Sequence, residues 1–256
     1  MAVLVGYLVI VVVVAAIAGV PFDEVGTSAE SIYRSTVPSF VVGAVYLVAV
    51  TTALGWWRPA LHDRRPSARR WPIVVPVLMA LLALVSFAQT EWSAFDASFL
   101  IALLLLGVGV GFCEELAARG VLLVALRSRY REVGVWLLST LLFGAMHLAN
   151  SLSGLAPEKA LLQGAIAAGS GTVFYILRRV TGSLVWAMVL HGMWDVSVFT
   201  VNFVDDETIP VAGLATPLIG LLGLAVVAWV IRGADERTAS DAPPAVEAEG
   251  ADRARP

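Results

Sequence analysis

The stretch Gly111-Phe112-Cys113-Glu114-Glu115-Leu116-Ala117-Ala118-Arg119-Gly120-Val121 decides how the rest of the chain is read. It sets two adjacent glutamates and an arginine inside an otherwise apolar run from Ser98 to Leu126. That run is longer than the ~20 residues a helix needs to cross a bilayer. An ionisable side chain near the bilayer centre costs roughly 3 kcal/mol or more, and such groups usually face a bundle interior or a wet cavity. Glu115 and Arg119 are four apart, in the order that favours an ion pair along one helical face. Glu114 has no such partner on its own helix.

Working outward, the composition fits a membrane protein. Of 256 residues, 59% are hydrophobic and 14% charged, and the mean hydropathy is +0.83. The charged share is well below the roughly 25% of soluble domains. The sequence predicts an all-α, polytopic bundle of about eight transmembrane helices. They cover about 1–20, 37–57, 72–89, 98–126, 134–150, 158–177, 181–200 and 211–231. By organisation these are three N-terminal helices within 1–97, a core over 98–200, a last helix within 201–232, and a tail over 233–256. The tail has few large apolar residues and is expected to be disordered. The first apolar segment lacks the basic n-region of a secretory signal and reads as a retained span.

The connecting segments alternate in charge. Residues 58–71 hold five arginines and one aspartate, with Trp56, Trp57 and Trp71 as an interfacial belt. The ends at 127–133, 178–180 and 232 are also basic, whereas 21–36, 90–97 and 205–207 are acidic on balance. The positive-inside rule then puts both termini on the cytoplasmic side of an integral, multi-pass protein. A net charge of −3 with no aromatic-interleaved basic patch gives no sign of a nucleic-acid partner. The single cysteine, Cys113, excludes an internal disulfide and reads as a small buried hydrophobe. Gly107, Gly109 and Gly111 read as a surface for close helix approach.

Two further helices carry polar groups at mid-span: His147, four after Phe143, and His191 with Asp195, which share one face. Counted from the basic ends at about 1.5 Å per residue, Glu114, Glu115, His147, His191 and Asp195 lie roughly 18–24 Å deep. A histidine alone is often a helix-to-helix hydrogen bond, and Glu115–Arg119 alone reads equally as a structural pair. Six polar groups meeting at one level favour a shared site.

These residues resemble the CAAX-protease and bacteriocin-processing family of intramembrane proteases, which includes the type II CAAX prenyl endopeptidases. Glu114-Glu115-x-x-x-Arg119, Phe143-x-x-x-His147 and His191-x-x-x-Asp195 stand in the family's order, and Thr181-Gly182-Ser183-Leu184 is also similar. The resemblance covers roughly 100–200. It implies an endopeptidase acting on a membrane-associated protein or peptide, with Glu114 as the base that activates water. It implies that His147 holds that water, that Glu115 and Arg119 fix the geometry, and that His191 and Asp195 orient substrate or stabilise the intermediate. The third motif ends in Asp195 where the well-studied CAAX endopeptidases have Asn, and an ionised Asp cannot donate a hydrogen bond to an oxyanion. A metal-free mechanism is favoured; if a divalent metal such as zinc takes part, Glu114, His147 and His191 are its set. Substrate identity, prenylation and oligomeric state are not legible. Three rivals stand beside this reading. One is a non-catalytic immunity or scaffold protein that keeps the fold. The others are a rhomboid-like serine protease using Ser170 with His191, and an ion-coupled transporter.

Overall fold

In the computed structural model, which describes residues 1–204 and 211–232, the chain is a bundle of eight long helices, with a short helix Trp57–Leu61 after the second and without a strand among the described residues. They are α1 (Ala2–Ala18), α2 (Ala29–Ala53), α3 (Trp71–Gln89), α4 (Ala97–Arg127), α5 (Glu132–Ser153), α6 (Pro157–Thr181), α7 (Leu184–Val204) and α8 (Val211–Ile231). The helices α2 to α6 are long and apolar enough to cross a membrane, and α1, α7 and α8 contain shorter apolar helices. The expected spans match these eight. The tail and the acidic 205–207 turn lie outside the described residues.

The ends follow local chemistry. Ser28 caps α2 by accepting the Ser31 backbone N–H (3.1 Å), and Asp96 caps α4 through the Phe99 N–H (2.7 Å). Pro157 opens α6, where a missing N–H costs nothing. Gly182 closes it with φ 76°, a left-handed conformation that strains any residue with a Cβ.

Large apolar side chains point outward as well as inward: Leu104 and Val108 on α4 are 63% and 61% exposed. Outward-facing leucine and valine suit lipid rather than water, and the chain is an integral membrane protein. With lipid outside, helices gain little from apolar burial and associate where small residues let backbones approach. The closest approach joins α4 to α7. A Cβ on Gly111 would collide with the Met188 carbonyl, and one on Gly107 would lie 3.1 Å from the Gly192 carbonyl oxygen. Gly109 instead receives the Phe40 ring from α2. The close-approach reading therefore holds for Gly107 and Gly111 against the α7 backbone, and Gly109 makes room for a side chain of α2. Cys113 is buried, its Sγ 3.4 Å from the Phe40 carbonyl oxygen.

The basic 58–71 segment is not wholly a solvated loop. Its Asp63 backbone donates to the Gly182 carbonyl (3.0 Å), and Ser67 donates to the Arg179 carbonyl (2.7 Å), tying it to the α6–α7 turn. Asp63 itself is fully buried and meets three arginines: Arg179 Nη1 at 2.6 Å, Arg127 Nη1 at 2.9 Å and Arg178 Nε at 3.0 Å. Arg127 and Tyr175 also bind Glu132, at 2.9 Å and 2.7 Å. Arg178 and Arg179, which the sequence presents as a basic helix end, are 0% exposed. They anchor the segment to the bundle.

Candidate active site

The Glu-Glu-x-x-x-Arg motif lies where α4 changes its winding. The helix is α-helical through Glu115, π-helical from Leu116 to Val121, and α-helical again to Arg127. A π turn inserts one residue per loop of hydrogen bonds and re-aims the side chains around it; such turns recur at functional sites. Every residue of this turn is buried. Nothing in Leu-Ala-Ala-Arg-Gly-Val announces the change of winding.

The six polar residues come together in two layers. In the inner layer, Glu115 Oε1 accepts from Arg119 Nη1 at 2.8 Å and lies 3.0 Å from His191 Nδ1. The acceptor is a carboxylate oxygen, so His191 Nδ1 carries the hydrogen in this contact. All three side chains are buried. Arg119 lies with its guanidinium carbon 3.7 Å from the centroid of the Phe143 ring, a cation–π contact made in a dry site. Phe174 stacks on His191 with centroids 4.5 Å apart and planes 27° apart. Arg178 Nη1 donates to the Arg119 carbonyl, which links this layer to the Asp63 cluster. Gly171 is the floor beneath Arg119, since a Cβ there would collide with the guanidinium.

The outer layer is Glu114, His147 and Asp195, which line one cavity of about 220 Å³. A water needs only about 10–15 Å³ of such volume, so the cavity has room for water and part of a peptide. Glu114 Oε2 is buried and has no hydrogen-bond partner. His147 Nδ1 lies 3.0 Å from the Phe143 carbonyl oxygen and donates to it, which leaves Nε2 as an acceptor in the neutral ring. The Phe143 ring also meets His147 and His191 edge-on. Asp195 Oδ1 is 3.9 Å from His191 Nε2, beyond hydrogen-bond length, and its side chain is 28% exposed.

All six expected residues therefore share one region, but not one surface. The resemblance implied that His191 acts with Asp195 on the substrate. The structure puts His191 behind the cavity wall, held by Glu115, and only Asp195 in front. Phe143, which the sequence offered only as a motif landmark, supports Arg119, His147 and His191 together. Ser170, the serine of the rhomboid-like rival, is buried in α6 and is not among the cavity-lining residues.

A metal fits poorly. Among the described residues, no three His, Cys, Asp or Glu side chains are grouped so as to hold an ion. The set Glu114, His147 and His191 is divided between the layers, with His191 Nδ1 already engaged.

Residues 96–197 match the family described as type II CAAX prenyl endopeptidase Rce1-like. The CAAX-protease resemblance holds. The match runs from the start of α4 into α7 and takes in all three motifs. No curated protein and no solved structure matches the chain. The matched family is one of endopeptidases, hydrolases of peptide bonds.

Proposed function

We propose that the protein is an intramembrane endopeptidase that hydrolyses a peptide bond in a membrane-associated protein or peptide, with Glu114 as general base. The observation that carries this is the state of Glu114: a buried carboxylate oxygen without a partner, on a cavity wall beside His147. A buried polar atom without a partner costs roughly 1–3 kcal/mol, more if charged. Glu115 Oε2 and Arg119 Nε and Nη2 are also buried without a hydrogen bond, so what sets Glu114 apart is its place on the cavity wall, where its oxygen is free to receive a proton.

The chemistry follows from the two layers. A water in the cavity donates hydrogen bonds to the Glu114 carboxylate and to His147 Nε2. Its oxygen attacks the peptide carbonyl carbon while its proton passes to Glu114. The tetrahedral intermediate then collapses, the C–N bond breaks, and the proton on Glu114 goes to the leaving amine. No charge leaves the site, which suits a low-dielectric setting. A positioned base of this kind contributes about 10²–10⁴-fold. Glu115, Arg119 and His191 hold the backbone of α4 and the wall of α7 in register. Asp195 faces substrate and, when protonated, supplies the donor that Asn would supply. No step requires a metal.

Glu114→Gln keeps shape and volume and removes the base. Proteomic comparison of membranes carrying wild-type or Glu114→Gln protein should show fragments made only by the wild type. Identical fragment sets would overturn the reading. They would favour the immunity or scaffold alternative, for which the fold suffices without turnover.

A further inference from the structure

Among the described residues the basic end of the bundle holds two acids, Asp63 and Glu132, both buried and already bound. Asp63 meets Arg127, Arg178 and Arg179, and Glu132 meets Arg127 and Tyr175. Arg69, Arg70 and Arg232 at that end are exposed and form no ion pair among the described residues. Three such guanidiniums on one surface form a receptor for an anion.

The backbone that carries them is fixed. Ser67 is buried, its N–H held by the Arg179 carbonyl at 2.7 Å. Its Oγ accepts the Arg69 N–H at 3.3 Å and donates to the Arg69 carbonyl at 3.1 Å. The Arg70 carbonyl accepts the Ile73 N–H at 3.1 Å, in the first turn of α3. Arg232 continues α8, its N–H bonded to the Ala228 carbonyl at 3.1 Å. Closing these side chains on a ligand therefore costs side-chain freedom and little else.

An aromatic pair joins the two arginine positions. Trp71 opens α3, Trp229 lies one turn before Arg232, and their rings meet edge-on with centroids 5.5 Å and planes 69° apart. Arg70 directly precedes Trp71, so the pair brings Arg69 and Arg70 to the end of α8. Both indoles are exposed, at 50% and 36%. Trp57, Trp92 and Trp136 donate their indole N–H groups inside the protein. Those of Trp71 and Trp229 have no partner among the described residues. Exposed indoles of this kind sit at headgroup level in a bilayer. Towards the membrane interior, α3 presents Val74, Val77 and Leu78, and α8 presents Leu218, Leu221 and Leu224, all exposed. The order from the end inward is cations, indoles, then aliphatic side chains. It is the order of headgroup, interface and acyl chains in a phospholipid.

We propose that Arg69, Arg70 and Arg232, with Trp71 and Trp229, form a binding site for an anionic phospholipid. Its phosphate is held by the guanidiniums and its acyl chains lie along α3 and α8. Guanidinium suits phosphate because its donors can bind two oxygens at once. The apolar wall beneath the arginines favours a lipid over a free phosphate. The site owes nothing to Glu114 and stands apart from the peptidase reading.

The test is reconstitution of the full-length protein in nanodiscs of phosphatidylcholine alone or of an equal mixture with phosphatidylglycerol, with Tm read in each. Phosphatidylglycerol should raise Tm by at least about 3 °C, as a ligand selective for the folded state does. The triple variant Arg69→Gln, Arg70→Gln, Arg232→Gln should lose that rise. A charge-matched triple, Arg58→Gln, Arg129→Gln, Arg131→Gln, removes exposed arginines elsewhere at the same end and should keep it. Each protein is its own reference between the two lipids, so a variant that is merely less stable still reports. Inorganic phosphate added to phosphatidylcholine discs should leave Tm unchanged. No rise in the wild type overturns the site. An equal loss in both triples also overturns it, by showing diffuse attraction to a basic surface. A rise with inorganic phosphate alone shows a free-anion site and overturns the lipid assignment.

Discussion

Asp63 is one acid in a segment of five arginines, and its replacement is the sharpest test of how the bundle is held. Its carboxylate takes hydrogen bonds from Arg127, Arg178 and Arg179, with no exposure of its own. Asp63→Asn keeps the shape and deletes the charge, leaving Arg178 and Arg179 buried at 0% exposure without their shared anion. Removing one partner of a buried ion pair costs roughly 3–5 kcal/mol. At about 2–4 °C per kcal/mol for a chain of this size, Tm in detergent should fall by about 6–20 °C. The matched control is Glu30→Gln, which breaks the exposed Glu30–Arg34 pair at 3.5 Å and should leave Tm unchanged. Burial alone would push the Asp63 pKa up. The arginines outweigh it, Arg178 first and then Arg127 and Arg179, and hold the carboxyl well below the usual carboxylate range. With the folded pKa depressed, the stabilisation is complete above the unfolded value near ~3.9 and is lost as pH falls below it. The wild type should thus lose Tm on acidification below about pH 4, and Asp63→Asn should show a shallower loss. An Asp63→Asn protein that melts within a degree of wild type would refute the anchoring argument.

Three further outcomes follow from the site. Gly171→Ala places a methyl against the Arg119 guanidinium and 3.1 Å from the Phe143 ring, so it should cost about 1–3 kcal/mol and reduce cleavage at least tenfold. Measured Tm and turnover at wild-type levels would show that the guanidinium is free to move. Ser170→Ala, buried away from the cavity, should leave cleavage unchanged; lost cleavage with an intact fold would restore the serine-protease rival. Cleavage should survive exhaustive chelation, and its loss with recovery on adding zinc would show that the divided ligand set is brought together by metal.

Much of the fold was legible because lipid imposes simple requirements. A spanning helix must be long and apolar, and the loops at its two ends differ in charge. The runs around α2 to α6 met both conditions, and counting inward from the basic ends placed Glu114, His147 and His191 at one level. Three things were hidden. The π turn at Leu116–Val121 leaves no mark in a stretch of small and apolar residues. The role of Asp63 was masked because positive-inside arginines are expected in water, whereas Arg178 and Arg179 fold back under the bundle to meet it. The division into two layers was hidden because helical spacing says which side chains share a face, not which of them line a void. His191 and Asp195 share a face of α7, yet the first is packed between Glu115 and Phe174 and the second lines the cavity.

That division is the centre of the account, and paired substitutions measure it directly. Glu114→Gln and Glu115→Gln are adjacent, equally conservative changes, read for both cleavage and Tm. Glu114→Gln should abolish detectable cleavage and leave Tm at or above the wild-type value, because its buried Oε2 has no hydrogen bond to lose. Glu115→Gln breaks the contacts to Arg119 and His191 and should lower Tm by about 6–20 °C at roughly 3–5 kcal/mol, with cleavage lost as a consequence. Full cleavage by Glu114→Gln, or an equal fall in Tm for both variants, would contradict the assignment of one glutamate to chemistry and the other to structure.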